Sequence, residues 1–334
     1  MNNVNAQTLG EDLIGNIDQL FCDALINLLR LNRNSLDAYL HEVVCNVQIT
    51  NTSTYAHCHV ISLDGNKRTR VNDFARFIAS RIVDYAIPRS EFKKALDDIS
   101  TSKSSAAFVQ LQIKARNLFK RTSINSGEAG EVLLSILAEA YLGLPQLIAK
   151  MSLKTNSQMP VHGCDGIHVS IDKTSKNLVV YWGEAKVYAN SSQAINECFS
   201  SLAPFLRDAG GSSATQNRDI FLLRDNIDLN NPALETALMN YLDPDNSMFN
   251  KMEYRGLCLI GYNSEAYPAE ANTKGIEQVK DDLLKSFQKN MNNIEKRVIA
   301  NKINSFEIQV FCIPFPDVEI FRKAFLNEIG LPNE

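Results

Sequence analysis

The run from Val179 to Val187 is largely apolar yet carries two charged residues, Glu184 and Lys186, and no other stretch constrains the fold as tightly. Charges inside a core-like strand need partners, because an unpaired buried charge is costly. A second strand, Gly166 to Ile171, stands just upstream, and the polar stretch Asp172 to Asn177 supplies the reversal between them. Centring that reversal between Thr174 and Ser175 pairs Asp165 with Glu184, Ile167 with Trp182 and Val169 with Val180. Directly opposed residues share a face, with β-carbons about 4.5–5.5 Å apart. The period of two then puts Lys186 on the same face as Glu184. One end of the hairpin gathers two carboxylates and an ammonium. No Asn-Gly type turn fixes the register, and a slip by one residue would put the two acids on opposite faces.

Two neighbouring carboxylates repel unless something positive lies between them. A Mg²⁺ or Mn²⁺ ion meets that need, since hard cations prefer oxygen ligands. Such an ion can polarise a phosphodiester and acidify a bound water, while Lys186 orients that water or offsets developing negative charge. The carbonyl of Ala185 can add an oxygen ligand. A third acid is expected from the preceding helix, where Glu128 and Glu131 lie three apart and share a face. Taken singly, each residue has a structural reading: a turn aspartate beside glycine, a solvated strand edge, acids favourable to a helix start. It is their order on helix, strand and strand that favours chemistry.

Around this hairpin the periodicity predicts helices near 12–31, 71–87, 90–99 and 104–120, and strands at Val43–Ile49 and Ala56–Leu63. Asn125 or Ser126 caps a helix running to Leu142, stopped by Gly143 and Pro145. A weak strand is expected at Leu147–Leu153, a helix from Asn190 or Ser191 to Leu206, and a strand at Gly256–Tyr262. A long amphipathic helix, Lys274–Asn304, precedes a strand from Phe306 to Cys312 and a last helix from Asp317. These elements suggest two regions. Residues 1–122 form an N-terminal α+β part available for partner binding, and residues 123–334 carry the catalytic constellation.

Composition narrows the function. The chain has 334 residues, 45% hydrophobic and 22% charged, enough to bury a sizeable core. Its 34 Lys and Arg against 38 Asp and Glu give a net charge of −4. A chain that grips nucleic acid alone usually has a basic excess, so a partner is expected to do the gripping, or the basic residues to collect on one face. The densest basic stretch, Lys114, Arg116, Lys120 and Arg121, is the candidate for phosphate contacts. Seven scattered cysteines without a Cys-x-x-Cys pair point to a reducing cytoplasm rather than a disulfide framework. His57-Cys58-His59 reads as ordinary strand, because adjacent strand residues face opposite ways. The start is polar and no run approaches a membrane span.

The order Gly127-x-x-x-Glu131, Gly163-Cys164-Asp165-Gly166 and Gly183-Glu184-Ala185-Lys186 resembles the PD-(D/E)XK nuclease superfamily. The resemblance implies an α/β (α+β) restriction-endonuclease-like core, a central mixed sheet flanked by helices. It assigns metal binding to Asp165 and Glu184, assistance to the attacking water to Lys186, and a place in the metal shell to Glu131. Cys164 stands where the superfamily's proline would. A closer similarity, through Ser126–Glu131, His162–His168, Gly183–Tyr188 and Leu259–Tyr262, is to the HamA family. That resemblance implies a Mg²⁺- or Mn²⁺-dependent deoxyribonuclease acting on DNA as an effector of the Hachiman anti-phage system, with a superfamily-two helicase, HamB, as partner. The competing readings are a nuclease-fold DNA-binding or regulatory subunit without turnover, and an interaction module assembled through helix 274–304.

Overall fold

The two apolar strands of the hairpin form one end of a six-stranded sheet ordered β1-β2-β6-β5-β4-β3. The computed structural model describes residues 21–119, 127–153, 163–207 and 215–331. Its strands are β1 (Leu40–Gln48), β2 (Thr54–Ile61), β3 (Gly166–Ile171), β4 (Leu178–Val187), β5 (Met252–Asn263) and β6 (Ile308–Phe315). The four inner strands run parallel, and β1 and β3 close the two edges antiparallel. The sheet is thus mixed and flanked by helices, the expected class. Parallel inner strands are buried on both faces, which is why β4 and β6 read as nearly unbroken apolar runs.

Helices cover both faces. One core joins α1 (Val71–Ala79), α5 (Glu128–Leu142) and α10 (Val318–Glu328) to the odd-numbered residues of β4, among them Val179, Ala185 and Val187. The opposite core joins α6 (Ser191–Arg207), α8 (Pro232–Leu242) and α9 (Ile276–Ala300) to Leu178, Val180 and Trp182. The long helix α9 seats Leu283, Phe287 and Ile294 in these cores, while Leu284 and Ile299 stay exposed.

Several expectations are refined. The helix expected over 71–87 is two, α1 and α2 (Ile82–Ala86), separated at Ser80–Arg81. Those expected near 90–99 and 104–120 are α3 (Arg89–Ser102) and α4 (Ala106–Asn117). Leu147–Leu153 is not a strand. Only 145–147 track the outer edge of β3, through Leu147 N–H to the Ile167 carbonyl and Val169 N–H to the Pro145 carbonyl. The chain then turns into a short 3-10 helix, Lys150–Leu153, that carries Lys150 inward. The polar region beyond α6 contains α7 (Thr215–Asn226) and α8. The front region expected to stand apart shares the sheet: β2 pairs with β6 from Thr54↔Ile308 to Cys58↔Cys312. Asn125 and Ser126, the expected caps of α5, lie outside the described residues, as does the first half of the helix expected over 12–31. Among the described residues no helix is long and apolar enough to cross a membrane.

Candidate active site

The β3–β4 register decides whether the acids meet, and it is the symmetric one. Ile167 pairs with Trp182, Val169 with Val180 and Gly166 with Gly183, which brings Asp165, one residue before β3, close enough for its charge to act on Glu184. A polar turn sets this register. Asp172 Oδ1 accepts from the N–H groups of Thr174 and Ser175, each at 2.9 Å, and Asp172 N–H donates to the Asn177 carbonyl at 3.0 Å. Arg255 on β5 ties the turn down through an ion pair with Asp172 at 2.5 Å.

At the other end of the hairpin, Asp165 N–H donates to the Gly183 carbonyl at 2.8 Å. Its Oδ2 accepts from Ala185 N–H, also at 2.8 Å. The carboxylate is therefore locked against the β4 backbone. Within a strand a residue's N–H and C=O point the same way, so the Ala185 carbonyl is directed toward Asp165. Glu184 is 4% exposed and forms an ion pair with Lys186. Helix α6 closes over it: Ser201 hydrogen-bonds its carboxylate, and Cys198 Sγ donates to its carbonyl at 3.5 Å. The Lys186 side chain, 20% exposed, marks the open side.

Burial and the Asp165 charge push the Glu184 carboxyl up to about 8, against the pull of Lys186. Burial raises Asp165 as well, while Lys186 and the Ala185 N–H oppose the rise. Burial works against the Lys186 ammonium, but Glu184 and Asp165 outweigh it and hold its pKa above the ordinary value. Two carboxyl groups thus share one ammonium in a place shielded from water, where burial and their mutual repulsion work against ionising both.

Glu131 is placed differently. Helix α5 packs on the odd-residue face of β4, where a side chain at Gly130 would put its Cβ 2.9 Å from Val187 Cγ2 and 3.6 Å from Ala185 Cβ. Glu184 and Lys186 alternate with these β4 residues and project to the other face. Glu131 instead meets the site through Tyr85 of α2, whose hydroxyl donates to Glu131 Oε2 at 3.1 Å and lies 3.3 Å from the Asp165 carbonyl oxygen. Burial and the charges of Glu131 and Asp165 hold the Tyr85 phenol well above its usual range. Glu128, 4% exposed, is on the same helix. Tyr85 was missed in the sequence because it precedes Asp165 by eighty positions with no local pattern to mark it.

Among the described residues no group of three or more His, Cys, Asp and Glu is gathered as a metal cage. The donors present are two carboxylates and a carbonyl, all hard oxygens. That set fits Mg²⁺ or Mn²⁺: Mg²⁺ keeps several waters and takes one or two carboxylates plus substrate phosphate oxygens rather than an all-protein shell.

Two members of the basic stretch have partners on neighbouring elements. Lys114 is bound to Glu91 at 2.6 and 2.8 Å, and Arg116 lies against the turn at Gly330. Lys120 and Arg121 lie outside the described residues.

The family model of HamA matches residues 37–329, nearly the whole chain. No curated protein matches it.

Proposed function

Because this chain belongs to the HamA family, and so is a component of a Hachiman anti-phage defence system, we propose that it is a Mg²⁺- or Mn²⁺-dependent nuclease that hydrolyses phosphodiester bonds in DNA. The observation that supports this reading best is the close pair Asp165 and Glu184 with Lys186 bonded to Glu184. Asp165, Glu184 and the Ala185 carbonyl would hold the ion. When bound, the ion supplies positive charge that polarises the phosphodiester and offsets charge on the leaving oxygen.

The remaining work falls to this chain's own groups. Glu184 gives up the proton it holds at neutral pH, since its carboxyl is raised to about 8 and only the carboxylate is a good ligand. Asp165 is held in its ligating orientation by Ala185 N–H, so little freedom is lost on binding. Lys186, at the open side, orients the attacking water and stabilises negative charge on the phosphoryl oxygens. Ser201 and Cys198 keep bulk water off the rear of Glu184, which strengthens these charge interactions. The net charge of −4 leaves little general attraction for DNA, which suits a chain that works with a helicase partner, HamB, that grips the substrate.

The test is degradation of linear and supercoiled DNA by the purified chain, with and without the helicase, in Mg²⁺, Mn²⁺ or excess chelator. Cleavage should need the ion and disappear in Glu184→Ala and in Lys186→Ala while both variants stay folded. Undiminished cleavage in chelator, or a folded and fully active Glu184→Ala, would sink the proposal.

A further inference from the structure

Two buried charges outside the acid pair bear on where Asp165 stands. Lys150, in the 3-10 turn Lys150–Leu153, and Asp219, on α7, have side chains 4% and 0% exposed and form an ion pair at 3.2 Å. Both also act on the backbone of a single residue. Lys150 Nζ donates to the Cys164 carbonyl at 2.7 Å, and Cys164 N–H donates to Asp219 Oδ2 at 3.1 Å. The residue before it fits the same arrangement. Gly163 has φ +112°, and a Cβ there would lie 2.3 and 2.4 Å from the two Asp219 carboxylate oxygens. Only glycine combines that backbone angle with so close an approach.

The clamp therefore holds both peptide groups of the residue that immediately precedes Asp165. It reaches them from two segments outside the β3–β4 hairpin. A buried ion pair is a weak source of stability, since apolar residues of similar volume often serve as well. The backbone it grips gives this pair a different use. We infer that Lys150 and Asp219 are positioning residues, which fix the Gly163–Cys164 turn and thereby set the Asp165 carboxylate against Ala185 N–H and close to Glu184. The inference rests on the metal-site reading above, and it concerns residues that touch neither the ion nor the substrate.

The experiment uses the full chain and three readings: Mn²⁺ affinity by calorimetry without DNA, urea midpoint, and DNA cleavage. The key variant is the double Lys150→Met, Asp219→Ala, which removes both charges together and adds no bulk beside Gly163. A pair that only fills the core would leave Mn²⁺ affinity unchanged in this variant. A positioning pair predicts a folded protein whose Mn²⁺ affinity and cleavage fall by about 10–100-fold, the usual effect of losing groups that orient metal ligands. Restoring an acceptor for Cys164 N–H, in Lys150→Met with Asp219→Asn, should recover part of that affinity. A folded double variant that binds Mn²⁺ as the wild type does overturns the inference. Should the double variant not fold, Gly163→Ala decides in the same way, because it displaces the turn while keeping both charges. Glu184→Ala separates the two levels of argument. Loss of Mn²⁺ binding there but not in the double variant removes the clamp alone. Equal Mn²⁺ binding by wild type and Glu184→Ala removes the metal site, and the clamp with it.

Discussion

Replacing Glu184 by glutamine should make the metal-free protein more stable at high pH and leave it unchanged at low pH. Glutamine mimics the protonated acid, so the comparison isolates the cost of the second negative charge. The Glu184 carboxyl rises from 4.5 to about 8 in the folded chain. A group raised in this way favours the fold fully below its unfolded value. That contribution is lost as the pH climbs from about 4.5 through about 8. At about 1.4 kcal/mol per pKa unit, the shift sets a ceiling of about 5 kcal/mol. Coulomb repulsion between charges about 5 Å apart, at an effective dielectric of about 20, gives about 3 kcal/mol before Lys186 offsets part of it. A gain of about 1–3 kcal/mol for Glu184→Gln at pH 8.5, falling to nothing near pH 4.5, is therefore expected. The assay is urea denaturation in chelator at both pH values. Excess Mg²⁺ should reverse the order at pH 8.5, because a ligand at about 100 times its Kd stabilises the wild type by about 2.7 kcal/mol. A variant less stable than the wild type by the same amount at both pH values would refute the reasoning. It would make Glu184 a structural partner of Lys186 rather than half of a repelling pair.

Two further outcomes test the frame around the acids. Tyr85→Phe removes a buried hydroxyl bonded to Glu131 and close to the Asp165 carbonyl. It should lower the urea midpoint by the equivalent of about 1.5–3 kcal/mol, the usual cost for a bond to a charged group, and reduce cleavage less than Glu184→Ala does. Gly130→Ala should destabilise despite alanine's advantage of about 1 kcal/mol in a helix, because its Cβ would meet the stiff Val187 side chain at 2.9 Å; a higher thermal midpoint for this variant would contradict the close α5–β4 contact.

The hairpin was legible because its information is local. Alternation along Val179–Val187 and a polar reversal of even length were enough to set the register that pairs Ile167 with Trp182 and Val169 with Val180, and the Asp172 side chain bonds in the turn hold it. The strands at 40–61 were also legible as strands, but their place in the sheet was not. β2 pairs with β6 some 250 positions away, and nothing in either strand names its neighbour. The two helices after α6 were passed over because α7, Thr215–Asn226, is dominated by polar residues and shows no clear apolar stripe. Lys150 and Asp219 were hidden for the same reason as Tyr85: each meets the Asp165 segment only through the fold.

Glu131 shows where local reasoning stops. Helical spacing places Glu128 and Glu131 on one face of α5, but it does not say which face of the sheet that helix will cover. The decision is made at Gly130, whose missing side chain lets α5 lie against Ala185 and Val187, the residues of β4 that alternate with Glu184 and Lys186. Glu131 follows directly after that close approach. It then reaches the Asp165 segment around the end of β3, by way of the Tyr85 hydroxyl. A carboxylate so placed acts on the backbone and the field around Asp165. On the proposed reading the ion would be held by Asp165, Glu184 and the Ala185 carbonyl, with water and phosphate oxygens filling the rest. An incomplete protein shell of this kind makes ion binding and substrate binding reinforce each other, because the phosphate supplies ligands the chain lacks. This reading expects tight coupling between the two, and equal Mn²⁺ affinity with and without DNA would contradict it.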